Sequence, residues 1–264
     1  MKDRAKTVVL ITGASKRIGA TLSRHFHQLN YQVVIHYRNG GEAAAKLENE
    51  LNHARENSAF KIQADLTSRE GIHKIAVFAS QLEHRLTLVI HNAGLFSPTP
   101  ITGATRETWD QLFETNLKAP YFLTQALLPW VDHRASFIFL GDMFGEIPLK
   151  HYSAYSASKA GLAMITRSLA LELAPNHRVN GIALGAILPP SIEQPGDATV
   201  STAGEREPES EAYFDLDQLL DGVPLSRLGT PTHVALVAEF LASNNYVTGQ
   251  MIATDGGKLT RAES

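Results

Sequence analysis

The chain of 264 residues carries 24 Lys and Arg against 27 Asp and Glu, a formal charge of −3, with 44% hydrophobic and 19% charged residues. That balance excludes a disordered or fibrous protein and leaves no excess of positive charge to track a phosphate backbone, so no nucleic acid is expected as a partner. No cysteine is present, which removes disulfides, thiol catalysis and zinc-thiolate sites, and none of the 11 histidines falls in a metal-binding spacing, so no metal is expected. The first apolar run, Val8 to Ile11, is too short for a signal-peptide core or a bilayer span. No later one is long enough either, and the expectation is a cytoplasmic chain with no membrane partner.

In chain order, short β-branched apolar runs alternate with amphipathic stretches. The patterning predicts strands at Thr7–Thr12, Gln32–Tyr37, Ala59–Gln63, Thr87–His91, Ser136–Leu140, Val179–Ala183 and Gln250–Thr254. Helical periodicity lies between them, at Ile18–Gln28, Gly41–Asn57, Arg69–His84, Arg106–Val131, Tyr152–Leu173 and Thr232–Ala242. Strands apolar at consecutive positions belong to a sheet covered on both faces, and strand–helix repetition makes that sheet parallel. The expected architecture is α/β: a single domain over residues 1–264, built as a Rossmann-type doubly wound parallel sheet with helices on both faces. Such a sheet binds ligands beyond the carboxyl ends of its strands. One segment breaks the rhythm. Residues 188–222 contain four prolines and carry nine acids, among them Glu205, Glu207, Glu209 and Glu211, against Arg206, a net charge of −8. Their place after the sixth strand makes them the expected substrate loop, an acidic flap that repels a polyanionic ligand and tolerates a neutral one.

The first chemical motif is Thr12-Gly13-Ala14-Ser15-Lys16-Arg17-Ile18-Gly19, directly after a strand and opening a helix. Glycines let the backbone turn tightly and approach a phosphate, and the helix N-terminus offers free N–H groups. Arg17 replaces the middle glycine of the usual fingerprint. A plain turn gives no reason for a long cation, whereas a pyrophosphate or a ligand beside it does. The second strand ends Ile35-His36-Tyr37-Arg38-Asn39-Gly40 without the acid that would hold a ribose 2′-hydroxyl. Arg38, with Lys16 in the first loop, favours a 2′-phosphate instead, hence NADPH. Tyr155-Ser156-Ala157-Ser158-Lys159 puts a phenol and an ammonium on one helix face. The ammonium is expected to stabilise the phenolate, lower the tyrosine pKa and hold the cofactor ribose.

In this order the motifs resemble the short-chain dehydrogenase/reductase superfamily over essentially the whole chain. Further marks are Asp65-Leu66 after the third strand, His91-Asn92-Ala93-Gly94 after the fourth, Asn116 within a helix and Asp255-Gly256-Gly257 near the end. The resemblance implies that Asp65 lies near the adenine and that Asn116 supports a proton-relay water. It also implies that Gly13, Ser15, Ile18, Gly19, Tyr37, Asn39, Leu66, Asn92, Ala93 and Gly94 belong to the cofactor site, with Gly185 beside the nicotinamide. One departure is informative: the superfamily usually has Ser thirteen residues before the tyrosine, and this chain has Asp142. A carboxyl can hand on or accept a proton, which suits ring nitrogens rather than a simple ketone. With Arg17, His36-Tyr37 and Phe96, Asp142 gives a resemblance to the pteridine reductase branch. In that branch the pterin lies between the nicotinamide and an aromatic ring, and Phe96 stands where that ring should be. The branch is homotetrameric, and the arginine that matches Arg261 approaches a neighbour's pocket. Two positions differ from it: Leu184-Gly185 replaces Pro-Gly, and Asn39-Gly40 replaces a serine near the 2′-phosphate.

The implied activity is NADPH-dependent reduction of a small-molecule dihydropterin or dihydrofolate, with hydride to the carbon of a C=N bond and a proton to its nitrogen. Tyr155 is the expected proton donor, Lys159 its activator, and Asp142 its partner in proton delivery, while Arg17, Phe96 and Arg261 position substrate. Two other readings stay open. A carbonyl reductase acting on a 3-oxoacyl thioester or ketone is opposed by Asp142. A non-catalytic NADP sensor is opposed by the intact Tyr155, Lys159 and Asn116.

Overall fold

The computed structural model describes residues 7–187 and 220–260. Seven parallel strands form one sheet in the order β3-β2-β1-β4-β5-β6-β7. They are β1 (Val8–Ile11), β2 (Gln32–Tyr37), β3 (Ala59–Gln63), β4 (Leu86–His91), β5 (Val131–Asp142), β6 (Arg178–Leu184) and β7 (Met251–Thr254). The helices are α1 (Arg17–Gln28), α2 (Gly41–Ala54), α3 (Arg69–Ser80), α4 (Arg106–Phe113), α5 (Ala119–Leu127), α6 (Ser153–Glu172) and α7 (Pro231–Ser243).

β1 shows why the central strands are apolar at every position. Val8 and Leu10 pack with residues of α3, α5 and α6 on one face, and Val9 and Ile11 with residues of α1, α2 and α7 on the other. A strand buried on both sides has no position left for a polar side chain. The doubly wound α/β sheet expected from the sequence is therefore the fold. Because β1 lies between β2 and β4, chain connections diverge there and open a crevice above the strand ends.

One expected element is corrected. The single helix placed over Arg106–Val131 is instead α4, a π turn at Glu114–Lys118, α5 and a 3₁₀ turn at Leu128–Trp130. The π turn coincides with Asn116, whose carboxamide turns inward to the backbone of Leu95. Pro129 has no N–H to continue a helix, and Val131 pairs with Leu86 as the start of β5, which is longer than the expected Ser136–Leu140. Of the acidic loop at 188–222 only residues 220–222 fall among the described residues, and Arg261 lies outside them. No helix among the described residues is long and apolar enough to cross a membrane.

Helix starts are fixed by side chains that satisfy free N–H groups. The Ser68 hydroxyl accepts from Gly71 N–H at 2.9 Å and starts α3 immediately beyond Asp65. Gly71 is there because the helix meets the β3 turn: a Cβ at this position would lie 1.9 Å from the carbonyl oxygen of Asp65. Gly71→Ala is expected to destabilise the fold by about 2 kcal/mol, an ordinary overpacking penalty, and to lower Tm by roughly 4–8 °C. Thermal unfolding followed by circular dichroism checks this, and an unchanged Tm would show that the turn yields freely.

Candidate active site

The turns after β1, β2, β3 and β4 line a groove of about 420 Å³. Of the expected cofactor residues, Gly13, Lys16, Arg17, Ile18, Gly19, Arg38, Asp65, Leu66, Asn92, Ala93 and Gly94 line it. Gly19 is required by close approach, since a Cβ would stand 2.3 Å from the Gly13 carbonyl oxygen. Arg17 keeps the backbone of the glycine it replaces, at φ +50°. A left-handed non-glycine residue costs about 1–2 kcal/mol, and strain of this kind collects at functional positions.

Two cations meet at the β2–α2 turn. The Lys16 ammonium lies 3.8 Å from where a Gly40 Cβ would be, as does the Ser15 hydroxyl, and Arg38 lines the same groove. The N-terminus of α2 opens here, at Gly41. This arrangement suits an anion, and no acid occupies it before Glu42. Asp65 lies at the other side, with Oδ1 accepting from Thr67 N–H and hydroxyl at 2.9 and 2.7 Å. Those bonds hold its carboxyl below the usual carboxylate range, with a smaller contribution from Arg38. Tyr37 packs its ring on Gly41, Asn39 is exposed, and Gly185 directly follows β6, packed on Asp255; none of the three is part of the groove wall.

The reacting groups stand at the ends of β5 and α6. The Tyr155 hydroxyl donates to Asp142 Oδ2 at 2.7 Å, and Asp142 Oδ1 accepts from Phe144 N–H at 2.9 Å. Lys159 sits one helical turn beyond Tyr155, donates to the Leu140 carbonyl at 2.9 Å and lies 5.8 Å from the Tyr155 ring centre. The expected lowering of the Tyr155 pKa is corrected by this geometry. Burial first, then the adjacent Asp142 charge, push the phenol well above 10. Burial also raises Asp142, against the pull of the Lys159 ammonium, and it lowers Lys159.

Asn116 is fully engaged with protein groups. Its Nδ2 donates to Leu95 O at 2.9 Å and to Ser158 Oγ at 3.1 Å, and its Oδ1 accepts from Leu95 N–H at 2.8 Å. Gly94 runs between Asn116 Oδ1 and Lys159 Nζ, 3.4 and 3.7 Å from where its Cβ would be. Phe96 is 40% exposed, stacks on Tyr152 (centroids 4.5 Å, 17° between planes) and meets Tyr155 edge-on at 4.7 Å. Thr99 sews this loop to the start of α6: its hydroxyl accepts from Ala154 N–H, and its N–H donates to His151 O. Sequence reasoning gave no role to Tyr152, Thr99 or Ser158, because an aromatic or hydroxyl without a spacing tied to the chemistry carries no signal of its own. A larger cavity of about 690 Å³, between α3 and α5, includes Ile72, Phe122 and Trp130 in its lining and does not include the Tyr155 pair.

The family model described as enoyl-(acyl carrier protein) reductase matches residues 13–258. The chain belongs to this family, and with it to the oxidoreductases of the short-chain dehydrogenase/reductase superfamily. A dihydromonapterin reductase of Klebsiella pneumoniae is 31% identical over 265 residues, covering 99% of this chain and 100% of that one. A 3beta-hydroxysteroid dehydrogenase 1 of Eggerthella lenta is also 31% identical, over 96% of this chain and 94% of its own length. Among solved structures, FolM alternative dihydrofolate reductase 1 from Brucella canis, complexed with NADP, has a TM-score of 0.82 and 27% identity. That likeness covers 98% of this chain and 97% of the other. The likenesses to dihydromonapterin reductase and FolM agree with the pteridine reductase branch indicated by Arg17, Phe96 and Asp142.

The Asp142–Tyr155 contact makes a titration testable. Asp142→Asn removes the charge that helps raise the phenol, so the Tyr155 pKa is expected to fall in the variant. Difference absorbance of tyrosinate against pH, with Tyr155→Phe as the reference that lacks the group, checks it. An identical Tyr155 transition in the Asn variant would show that the carboxylate does not act on the phenol.

Proposed function

We propose that this protein is an NADPH-dependent reductase of a dihydropterin ring, with dihydrofolate the chemically related alternative. The observation that carries the reading is the carboxyl of Asp142 at 2.7 Å from the Tyr155 hydroxyl, at the place where a serine would serve a ketone. A serine hydroxyl can only steady a carbonyl oxygen. A carboxyl whose pKa is raised by burial can hold a proton and pass it through Tyr155 to a ring nitrogen. Both groups are biased toward their protonated forms, which is what a donor pair needs at the start of the reaction.

Lys16, Arg38 and the α2 N-terminus would hold the 2′-phosphate, the Gly13–Gly19 turn the pyrophosphate, Asp65 the adenine side, and Lys159 the ribose. When bound, the cofactor supplies hydride to the C=N carbon. Phe96, braced from behind by Tyr152, would cover one face of the pterin, and Arg17 would meet its polar edge. Asn116 keeps Leu95 and Ser158 in place, so that the loop bearing Phe96 and the helix bearing Tyr155 are held to one another. We place the enzyme in the cytoplasm as a homotetramer, in line with the resemblance that the motifs carry.

Two measurements test the reading. Purified protein oxidising NADPH with dihydropterins, dihydrofolate and a set of ketones, including a steroid ketone, is expected to prefer the dihydropterin. Asp142→Ser should lower pterin kcat by about 10²–10⁴-fold while NADPH still binds. Near-normal pterin turnover in that variant, or preference for a ketone, overturns the assignment. For the cofactor, kcat/KM is expected to favour NADPH strongly over NADH, and Lys16→Ala combined with Arg38→Ala should remove most of that preference. Equal use of both cofactors by the unaltered protein overturns it.

A further inference from the structure

Outside the reacting pair, one buried group is tied to two walls of the cofactor groove. His36, near the end of β2, is 2% exposed. Its Nδ1 faces the Gly13 N–H at 3.2 Å and its Nε2 faces the Ala64 carbonyl oxygen at 3.1 Å. An amide N–H only donates and a carbonyl only accepts. A single tautomer therefore satisfies both contacts: Nδ1 bare and Nε2 carrying the hydrogen. Burial agrees, pushing the imidazole down to about 4 and keeping it neutral.

Each partner of His36 leads into the groove. Gly13 is left-handed at φ +61°, and Asn92 Nδ2 donates to its carbonyl oxygen at 2.9 Å from the β4 side. The N–H and C=O of Gly13 are thus gripped from two different strands, β2 through His36 and the β4 turn through Asn92. Ala64 directly precedes Asp65, which lines the opposite wall. A residue as free as glycine keeps such a conformation only while its surroundings hold it.

We propose that His36 is a positioning residue for the cofactor: its bare Nδ1 fixes the Gly13 turn, and the Nε2 contact to the Ala64 carbonyl beside Asp65 orients the ring for that task. The groove is thereby pre-formed for the pyrophosphate and adenosine common to nicotinamide dinucleotides. This rests on the dinucleotide part of the functional reading alone, and on neither NADPH preference nor the pterin. Pre-forming a site removes an ordering cost from binding, so loss of His36 appears in affinity.

Three variants separate the two contacts. His36→Asn keeps an acceptor near the Nδ1 position and loses the reach to Ala64. His36→Gln keeps a donor able to reach Ala64 and loses the acceptor for Gly13. His36→Phe keeps a ring and loses both. Dissociation constants for NADPH and NADH by titration calorimetry, amide exchange over residues 12–16, and Tm are measured for each. His36→Phe is expected to raise both constants by the same factor, about tenfold, the worth of one or two hydrogen bonds, with faster exchange over the turn. His36→Asn should recover most of the affinity for both cofactors, and His36→Gln little. The proposal is overturned if His36→Phe binds both cofactors as the unaltered protein does, or if the Asn and Gln variants weaken binding equally. Should His36→Phe fail to fold, the Asn–Gln comparison decides alone. A failed NADPH preference has a different signature, equal constants for the two cofactors in the unaltered protein.

Discussion

A carboxylate and a phenol share a hydrogen bond of 2.7 Å in a place that excludes most water from both. Burial makes ionisation harder for both groups; the Asp142 charge raises the phenol further, whereas the hydrogen bond from Tyr155 eases ionisation of Asp142. Much of the surrounding architecture serves to keep that contact. The late residues of β5 run on to pair Asp142 with Leu184 of β6, which fixes the carboxyl at the carboxyl end of the sheet. The Phe144 N–H takes the second oxygen, and α6 begins just far enough away to bring Tyr155 onto the first. Lys159 adds a buried positive charge one turn deeper, held to the Leu140 carbonyl, so the pair faces a fixed cation rather than a mobile one.

The two halves of the site are built differently. The cofactor groove is largely backbone and short side chains, clamped by Thr12, Asn92 and His36, with its exposed charges at the rim in Lys16, Arg17 and Arg38. Cations at the mouth of a groove draw an anion in, and amides deeper down hold it. The substrate side is aromatic and jointed: Phe96 rests on Tyr152 and its loop is tied to α6 through Thr99. Flat rings with one open face select flat ligands through stacking, while the acid pair beside them decides which atom receives a proton.

Most of the fold was legible because a sheet covered on both faces leaves an unmistakable sign, apolar side chains at successive positions such as Val8 to Ile11. The break in the helix after Arg106 was not, since a π turn adds one residue without changing the kinds of residue present, and its cause lies far away in sequence, at Leu95. In the site, the groups with a fixed spacing were legible: Gly13 to Gly19, Tyr155 with Lys159, and Asp142 by its place before the tyrosine. Their electrostatics were not. Tyr155 and Lys159 alone point to a lowered phenol pKa, and only the three-dimensional nearness of Asp142, together with burial, reverses the direction. His36 was visible merely as part of a strand end, because a buried imidazole and a surface one look alike in a sequence.

Arg17 has a consequence for how such a protein changes over generations. Its left-handed backbone carries about 1–2 kcal/mol of strain, more than the roughly 0.4–1 kcal/mol of chain entropy that a glycine would lose on folding there. Arginine and glycine thus share one backbone at this position, and glycine is the more comfortable occupant. Replacement of Arg17 by glycine would therefore steady the fold while removing the cation from the mouth of the groove. The arginine is thus held at a cost to stability, and its loss to glycine would leave the turn without need of rebuilding.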